Sequence, residues 1–227
     1  MANALVFGGG GQIGAACAEA LRGHGFEVTS TGRQGDEAAG IAAYDPLADK
    51  FALPGESPFA AVVWAQGANL NDSVLDFDAE RHRAIYDANV LFVLESMHAL
   101  LASDRLASGA RLCVISSVWQ NVARPSKLSY MVSKAALQGL VLSAAIDLAE
   151  RGILVNAVLP GALDTPMTRQ NLTPEQIERI GGMTRFNRLA ALGDVAALVA
   201  FLCSVANTSI TGQFVSVDLG FQNARLV

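Results

Sequence analysis

A tyrosine and a lysine four positions apart have the residue types and the spacing for acid–base chemistry. They are Tyr130 and Lys134 in the stretch SSVWQNVARPSKLSYMVSK, where the apolar pattern predicts a helix over 128–150. This spacing places both side chains on one face of that helix, within reach of each other. A free tyrosine titrates near pH ~10, but a neighbouring ammonium favours the phenolate and lowers that pKa. The pair therefore predicts a tyrosine that exchanges protons near neutral pH.

Ser117 is a third residue that fits the same chemistry. It lies 13 residues before Tyr130, directly after a predicted strand over 110–116. Its hydroxyl can polarise the carbonyl oxygen that Tyr130 protonates. Residues at the carboxyl ends of parallel strands converge on the crevice where α/β sheets bind their ligands. Ser117, Tyr130 and Lys134 are thus the predicted catalytic set for a reaction at a carbonyl group.

A run of glycines near the start of the chain indicates a phosphate-binding loop. FGGGGQIGAA lies between the first predicted strand and the first predicted helix. Gly9, Gly11 and Gly14 fit G-x-G-x-x-G, whereas Gly8, Gly11 and Gly14 fit G-x-x-G-x-x-G. Glycines permit the tight turn and the close approach of a pyrophosphate, and the helix N-terminus supplies free N–H groups and a positive dipole. The predicted dinucleotide-binding residues of this loop are Gly8, Gly9, Gly11, Gln12, Ile13 and Gly14.

The end of the second predicted strand bears on which dinucleotide binds. In TSTGRQ, Gly32 occupies the position where an acidic residue would bind the adenosine ribose diol. Arg33 follows it, and a guanidinium fork suits a phosphate dianion. NADP is therefore favoured over NAD, which stays possible. A plain solvated arginine is the alternative interpretation of Arg33.

Strands that alternate with helices position these motifs. The apolar, strand-like runs are 3–8, 26–31, 40–45, 59–65, 110–116, 153–159 and 213–218, and helical patterns cover 12–23, about 78–102, 128–150 and 193–204. Strands that are apolar throughout indicate a parallel sheet covered on both faces. We predict an α/β fold of the Rossmann type, with a doubly wound parallel sheet of about seven strands and helices on both faces. No linker divides 1–227, which we predict to be a single domain with 160–192, its longest irregular segment, as a substrate lid.

Composition and charge argue against several other functions. The 227 residues carry a net charge of −5 and their 16 Lys and Arg form no basic stripe, so nucleic acid is not an expected partner. The three cysteines have no metal-ligand spacing, so we expect no metal site and a reducing, cytoplasmic compartment. No uninterrupted apolar run approaches membrane-spanning length, so no membrane partner is expected.

The three histidines and the mean hydropathy indicate structure rather than chemistry. His24, His82 and His98 have no carboxylate partner and no ligand spacing, so we expect them in solvent or in core packing. The mean hydropathy of +0.34 indicates either a sheet buried on both faces or an apolar surface covered in an oligomer.

With these residues in place, the chain resembles the short-chain dehydrogenase/reductase family, in particular its 3-oxoacyl-acyl-carrier-protein-reductase-like members. The resemblance runs from the glycine loop through NAVLPGALDTPM (156–167) to SITGQFVSVDLGF (209–221). It implies roles for six further residues by position: Asn89 in a proton relay, Asp45 at the adenine amino group, Pro160 and Gly161 in the turn beside the nicotinamide, Leu163 at the carboxamide and Thr165 near the phosphates.

The chain departs from the family pattern in two places. After the fourth predicted strand it has WAQG in place of Asn-Asn-Ala-Gly, so only Gly67 is kept and Gln66 becomes a possible substitute donor. In the glycine loop Phe7 and Gln12 replace the usual Thr and second Gly, and Gly11 can allow the backbone approach instead. We interpret both departures as variation in the scaffold that leaves the chemistry intact.

The substrate pocket is less clearly marked than the cofactor site. Trp119, Gln120 and Met167 are predicted to line it, although a loop anchor or a packing filler would use the same residue types. Solvated loop arginines are the favoured interpretation of Arg124, Arg169 and Arg185, with a phosphate partner as the alternative. The apolar helix face over 135–148 is expected to pair with its copy, because in the family this helix forms a subunit interface, which implies a homotetramer or homodimer.

Taken together, the residues and the resemblance imply an NADPH-dependent oxidoreductase. It would transfer a hydride between the nicotinamide and a carbonyl or secondary alcohol, with a 3-oxoacyl thioester or another ketone as the small-molecule substrate. One alternative is an epimerase or dehydratase on a sugar or nucleotide sugar that returns its NAD(P) unchanged. Another is a cofactor-sensing module whose chemistry is vestigial, against which the complete Ser–Tyr–Lys–Asn set argues.

Overall fold

Strands and helices alternate along the chain as the apolar pattern predicts. The computed structural model describes residues 1–48, 52–171 and 173–224, without the side chains of Met167 and Asn171. In chain order the elements are β1 Ala2–Phe7, α1 Gln12–Gly23, β2 Phe26–Gly32, β3 Ile41–Ala43, β4 Phe59–Trp64, α2 Ala79–Tyr86, α3 Phe92–Ala102, β5 Leu106–Ile115, α4 Leu128–Asp147, β6 Leu154–Pro160, β7 Leu163–Asp164, α5 Pro166–Asn171, α6 Pro174–Gly181, β8 Ala190–Ala191, α7 Leu192–Cys203 and β9 Phe214–Val217.

Within the described ranges, the main sheet has seven strands in the order β3-β2-β1-β4-β5-β6-β9. Every neighbouring pair in it is parallel. The strand order reverses between β1 and β4, and ligands of such sheets bind at the carboxyl ends of the strands beside this reversal. The predicted Rossmann-type α/β fold is confirmed.

Side chains of β1 show why these strands are apolar throughout. Leu5 and Phe7 belong to the buried cluster that includes residues of α3 and α4, on one face of the sheet. Ala4 and Val6 belong to a second cluster, with residues of α1 and α7 on the other face. Because successive residues of a strand point to opposite faces, a strand covered on both sides needs apolar residues at every position.

Among the residues that the structure describes, two helical stretches are long and apolar enough, by length and composition, to cross a membrane. They are Ala79–Ala102 and Leu128–Asp147. Of the most apolar 18 residues of each stretch, 44% and 39%, respectively, are buried inside the protein. Both contribute side chains to the core cluster on one face of the sheet. Burial against the sheet therefore accounts for their apolar character.

The segment 160–192 is more regular than the sequence prediction of an irregular stretch. It contains α5, α6 and a two-stranded parallel ladder of β7 and β8. Helix α6 begins with a capping box, in which Thr173 Oγ1 accepts from the N–H of Gln176 at 3.3 Å and Gln176 Oε1 accepts from the N–H of Thr173 at 2.9 Å. The prediction of an irregular segment is wrong because the sequence TPEQ, at 173–176, contains the start signal of a helix.

Candidate active site

Three predicted catalytic residues meet at the carboxyl ends of β5 and β6. Ser117 follows β5, Tyr130 lies in the first turn of α4 and Lys134 lies one turn later. The Ser117 hydroxyl hydrogen-bonds the Tyr130 phenol, and the ammonium of Lys134 lies 5.7 Å from the centre of the tyrosine ring. Ser117 and Tyr130 both line a cavity of about 160 Å³. The arrangement places two hydroxyl groups where one substrate oxygen can reach both.

Burial dominates the acid–base behaviour of this pair. Burial raises the pKa of Tyr130, and the hydrogen bond with Ser117 lowers it by less. Burial also lowers the pKa of Lys134, to about 8. The expectation that Lys134 lowers the tyrosine pKa is therefore wrong for the protein atoms taken by themselves. The reason is that the buried lysine loses its proton before the tyrosine does, so it is neutral when the phenol ionises.

The buried ammonium of Lys134 leads to a prediction about stability. Its Nζ donates to the carbonyl of Ile115 at 3.0 Å, and no ion pair holds it in the part of the chain that the structure describes. Because its pKa is lower in the folded chain than in the unfolded chain, the unfolded chain binds more protons above about pH 8, so folding stability rises with pH until about pH 10.5. We expect the unfolding free energy of the unmodified protein to rise relative to that of Lys134→Met by about 2–3 kcal/mol between about pH 7 and pH 10.

Urea unfolding of both proteins at several pH values measures this difference, because every other titrating group is common to the two. A gap between the two unfolding free energies that stays constant across this pH range would show that Lys134 is not a destabilised buried charge.

Asn89 joins the loop after β4 to the catalytic helix. It lies in a π-helical turn, Asp87–Leu91, between α2 and α3, and such turns are frequent at functional sites. Its Nδ2 donates to the carbonyl of Ala68 at 3.0 Å and to Ser133 Oγ at 2.8 Å, and its Oδ1 accepts from the N–H of Ala68 at 2.7 Å. The side-chain donors of Asn89 are thus engaged by a backbone carbonyl and by the Ser133 hydroxyl, and the proton relay through Asn89 stays a prediction.

Gly67 explains why one family glycine persists in WAQG. A Cβ atom at this position would lie 3.0 Å from Oδ1 of Asn89 and 3.6 Å from Nζ of Lys134. A larger residue would therefore press on both of the side chains predicted to handle protons.

A hydrogen-bonded network beside Tyr130 escaped sequence reasoning. Asp72 is buried, accepts from the N–H of Ser129 at 3.0 Å and accepts a short bond from the Ser129 hydroxyl. Because that hydroxyl proton is directed at Asp72, His82 Nδ1 donates to Ser129 Oγ, at 2.8 Å. The partner of His82 is thus a hydroxyl group, and its link to the carboxylate of Asp72 runs through Ser129, a residue 47 positions away. Lys127, the N-cap residue of α4, makes no side-chain cap. Asp72 supplies the cap instead, by accepting hydrogen bonds from the first turn of α4.

The glycine loop forms a cradle at the N-terminus of α1. Gly8 has a φ of +78°, and a Cβ there would lie 2.6 Å from the backbone nitrogen of Gln66. A Cβ on Gly9 would lie 2.5 Å from Ser30, and one on Gly14 only 2.1 Å from the carbonyl oxygen of Gly8. Gly11, the N-cap of α1, has more space and makes no side-chain cap, so the first N–H groups of the helix stay available to an anion.

Gly14 supplies a prediction with a matched control on the same helix. Gly14→Ala forces the backbone of the loop apart, because the added methyl group meets a carbonyl oxygen and no flexible side chain. We expect it to lower the unfolding free energy by roughly 1–3 kcal/mol and to weaken NADP(H) binding at least tenfold. Gly23→Ala, at the end of α1 where the added methyl group would meet no described atom within 4 Å, should leave both quantities near those of the unmodified protein. Thermal unfolding and cofactor titration measure them, and equal behaviour of the two variants would contradict the cradle.

A cleft of about 230 Å³ continues from the glycine loop along the carboxyl ends of β1, β2 and β4. The described residues lining it are Gly8, Gly11, Gly32, Arg33, Ala65, Gln66, Gly67, Ala88 and Phe92. Arg33 is exposed in it and forms no ion pair among the described residues. Gln66 Oε1 is buried there without a hydrogen-bond partner, so it offers an acceptor to a bound molecule. The cradle, the open helix terminus and this free acceptor fit a dinucleotide.

Some of the other predicted cofactor residues line the catalytic cavity or the cleft beside the glycine loop, and others do not. Ile13, Pro160, Gly161 and Leu163 line the catalytic cavity with Ser117 and Tyr130. Gly9 and Gln12 belong to the loop and the first turn of α1 but are not among the described lining residues of either cavity.

Asp45 and Thr165 also lie outside the described linings of the two cavities. Asp45 follows β3 and accepts from the N–H of Leu47 at 3.1 Å. Thr165 is buried and its Oγ1 accepts from the N–H of Thr168 at 3.0 Å, at the start of α5. The contacts predicted for these two residues with the adenine and the phosphates stay predictions.

Of the residues predicted to line the substrate pocket, Trp119 is among the described lining residues of a cavity and Gln120 is not. Trp119 lines the catalytic cavity and also an adjoining cavity of about 410 Å³. Gln120 Oε1 accepts from Ser116 Oγ at 2.6 Å, while its buried Nε2 has no partner among the described atoms. Met167 lies in α5, but its side chain is outside what the structure describes.

Comparison with known proteins gives one consistent picture. Residues 59–222 match the family model described as enoyl-(acyl carrier protein) reductase. An uncharacterised oxidoreductase of Bacillus subtilis, YmfI, is 30% identical over 96% of this chain and 98% of its own length. The acetoacetyl-CoA reductase of Shinella zoogloeoides is 29% identical over 96% of this chain and 97% of its own length. The crystal structure of 3-oxoacyl-[acyl-carrier protein] reductase from Brucella melitensis in complex with NAD superposes with a TM-score of 0.83, at 29% identity, over 99% of this chain and 98% of that one.

Proposed function

Since this chain belongs to the short-chain dehydrogenase/reductase family, whose members are NAD(P)-dependent oxidoreductases, we propose that it reduces the carbonyl group of a small molecule with NADPH, or oxidises the corresponding secondary alcohol with NADP. The observation that carries the proposal is that Ser117 and Tyr130 line one cavity and hydrogen-bond each other, with the ammonium of Lys134 5.7 Å from the centre of the Tyr130 ring. Residues 160–192, which contribute Gly161 and Leu163 to that cavity, would act as the substrate lid of a single domain.

The cofactor, when bound, would supply the hydride in reduction and accept it in oxidation. The Tyr130 phenol gives its proton to the substrate oxygen, and its raised pKa keeps it in the protonated form that this step requires at neutral pH. The Ser117 hydroxyl donates a second hydrogen bond to the same oxygen and stabilises the negative charge that develops on it. Lys134, with a pKa of about 8, carries a positive charge near neutral pH and returns a proton toward Tyr130 after each turnover.

The dinucleotide would lie along the cradle and the cleft described above. The glycine loop and the N-terminus of α1 hold the pyrophosphate, and Arg33 holds the 2′-phosphate that distinguishes NADP from NAD. The exposed guanidinium and the lack of an acidic residue at Gly32 support this preference. Asp45 and Gln66 would take the adenosine end, Leu163 would contact the carboxamide of the nicotinamide, and the Thr165 hydroxyl would lie near the phosphates.

Two further properties belong to the proposal. On α4, the side chains of Leu142 and Ile146 are 47% and 75% exposed, which supports a homo-oligomer formed through this helix face, a tetramer or a dimer. The cysteines Cys17, Cys113 and Cys203 are free and buried, which supports a reducing, cytoplasmic environment.

Incubation with NADPH and a panel of acyl thioesters, oxo acids, keto-sugars and simple ketones tests the reaction class. We expect NADPH to be consumed in equal amount to the alcohol formed with at least one of these classes. NADPH that stays intact with every carbonyl compound, despite binding to the protein, would contradict the proposal.

A further inference from the structure

The catalytic cavity carries more positive charge than proton transfer from Tyr130 requires. Its described lining includes Arg124 and Lys127 and contains no Asp or Glu. The side chain of Lys127 is buried, and its ammonium lies 6.0 Å from the centre of the Tyr130 ring. The Arg124 guanidinium lies 5.6 Å from the centre of the Trp119 ring. Two cations without an anion in a small cavity attract a negatively charged ligand.

Neutral amide oxygens accept hydrogen bonds from the Lys127 ammonium. Its Nζ donates to Oδ1 of Asn69 at 2.7 Å and to Oδ1 of Asn71 at 2.5 Å. Its third contact, with the carbonyl of Leu70, is 3.5 Å long, at the limit of a hydrogen bond. An ammonium has three donors, so one N–H of Lys127 is available to a ligand in the cavity.

The surroundings of Lys127 compensate that charge only in part. Burial, and then the charge of Arg124, lower the pKa of Lys127, whereas the charge of Asp72 raises it by less. The carboxylate of Asp72 is engaged by the N–H and the hydroxyl of Ser129. An anion bound in the cavity would therefore relieve an unfavourable charge arrangement as well as gain a charge-assisted hydrogen bond.

On the basis of the proposed function, we infer that the substrate is an oxo acid whose carboxylate binds Lys127, beside Arg124, while its carbonyl oxygen meets Ser117 and Tyr130. Lys127 is then the residue that selects an acid over a neutral ketone or a thioester. Ile180, Met183 and Phe221 are among the walls of the adjoining cavity of about 410 Å³, which also include Arg124, Gln176 and Arg179. This cavity therefore offers apolar surface, edged by polar groups, to the remainder of the substrate.

Pairs of oxo acids and their methyl esters test this inference, because each ester keeps the carbonyl and removes the charge. We expect the unmodified protein to prefer the acid in kcat/KM at least tenfold for the best 2-oxo or 3-oxo pair, since hydrogen bonds to charged groups are worth about that factor or more. Lys127→Gln should lower the acid-to-ester ratio of kcat/KM about tenfold or more.

Asn71→Asp is the matched variant that separates charge from structure. It keeps the acceptor that holds Lys127 but adds a negative charge beside the ammonium, so it cancels the charge without removing the lysine. The acid-to-ester ratio should fall in this variant as well. If Lys127 only anchors the segment with Asn69 and Asn71, Lys127→Gln lowers kcat/KM for acid and ester alike and Asn71→Asp leaves the ratio unchanged, which would overturn the inference.

A binding measurement gives a readout that does not depend on turnover. The probe is 3-hydroxy-3-methylbutyrate, a tertiary alcohol acid that has no hydride to lose, titrated calorimetrically with NADP present. We expect the unmodified protein to bind this acid, to bind its methyl ester at least tenfold more weakly and to lose the difference in Asn71→Asp.

The outcomes separate the inference from the proposed function. If esters and acids are reduced with equal kcat/KM and bound with equal affinity, the inference is overturned and the proposed oxidoreductase function stands. Selective binding of the acid together with intact NADPH for every carbonyl compound supports the anion site and overturns the proposed reaction. If the protein neither binds nor turns over any acid, the inference is overturned as well.

Discussion

Replacing Tyr130 by Phe is expected to remove turnover while leaving NADPH binding unchanged. The phenylalanine ring fills the same space, so the helix that carries Lys134 keeps its packing, and only the proton donor is lost. General acid catalysis contributes roughly 100- to 10,000-fold, and we expect kcat to fall by a factor in that range. The remaining Ser117 hydroxyl can still orient a substrate oxygen, so KM should change less than kcat.

Tyr86→Phe is the control for this substitution. Tyr86 ends α2 and stacks on His82 with ring centres 6.4 Å apart, and it is not among the described residues that line the catalytic cavity. Steady-state kinetics and NADPH titration of both variants make the comparison. Undiminished kcat in Tyr130→Phe, or equal losses in the two variants, would refute the role of the Tyr130 hydroxyl.

Replacing Arg33 by Ala is expected to weaken NADPH binding about 10- to 100-fold and to change NADH binding less than about twofold, because one charge-assisted contact with the 2′-phosphate is lost. The exposed guanidinium forms no ion pair with the described acidic residues, so its removal should leave the rest of the cleft undisturbed. Arg22→Ala, in the last turn of α1, removes the same charge at the far end of that helix and serves as the control.

Calorimetric titration with the two cofactors measures this preference. Equal affinities of the unmodified protein for NADPH and NADH would refute the Arg33 assignment. An equal loss for both cofactors in Arg33→Ala would instead assign the arginine to a part of the dinucleotide that both share.

The strand and helix order could be predicted from the sequence because burial on both faces imposes a pattern that is visible locally. In β1 and β4 nearly every position is apolar, and helix α1 has the bounds 12–23 that its pattern predicts. Tyr130 and Lys134 could likewise be paired, since four-residue spacing on a helix determines which side chains are neighbours.

Contacts between distant segments could not be predicted in this way. Asp72 meets Ser129 across 57 positions and Lys127 meets Asn71 across 56, and neither pair has a spacing that identifies it. The pKa of Tyr130 was predicted in the wrong direction for a related reason. Its sign depends on how deeply Tyr130 and Lys134 are buried, which follows from the packing of whole elements and from no local motif.

The most direct test of the proposed hydride transfer uses NADPH that carries deuterium at the transferable position of its nicotinamide ring. We expect the alcohol product to contain one deuterium at its carbinol carbon, with one NADP formed per alcohol. Deuterium that stays on the cofactor while the substrate is converted would show that NAD(P) is returned unchanged. That result would contradict a reductase and favour an epimerase or dehydratase built on the same site.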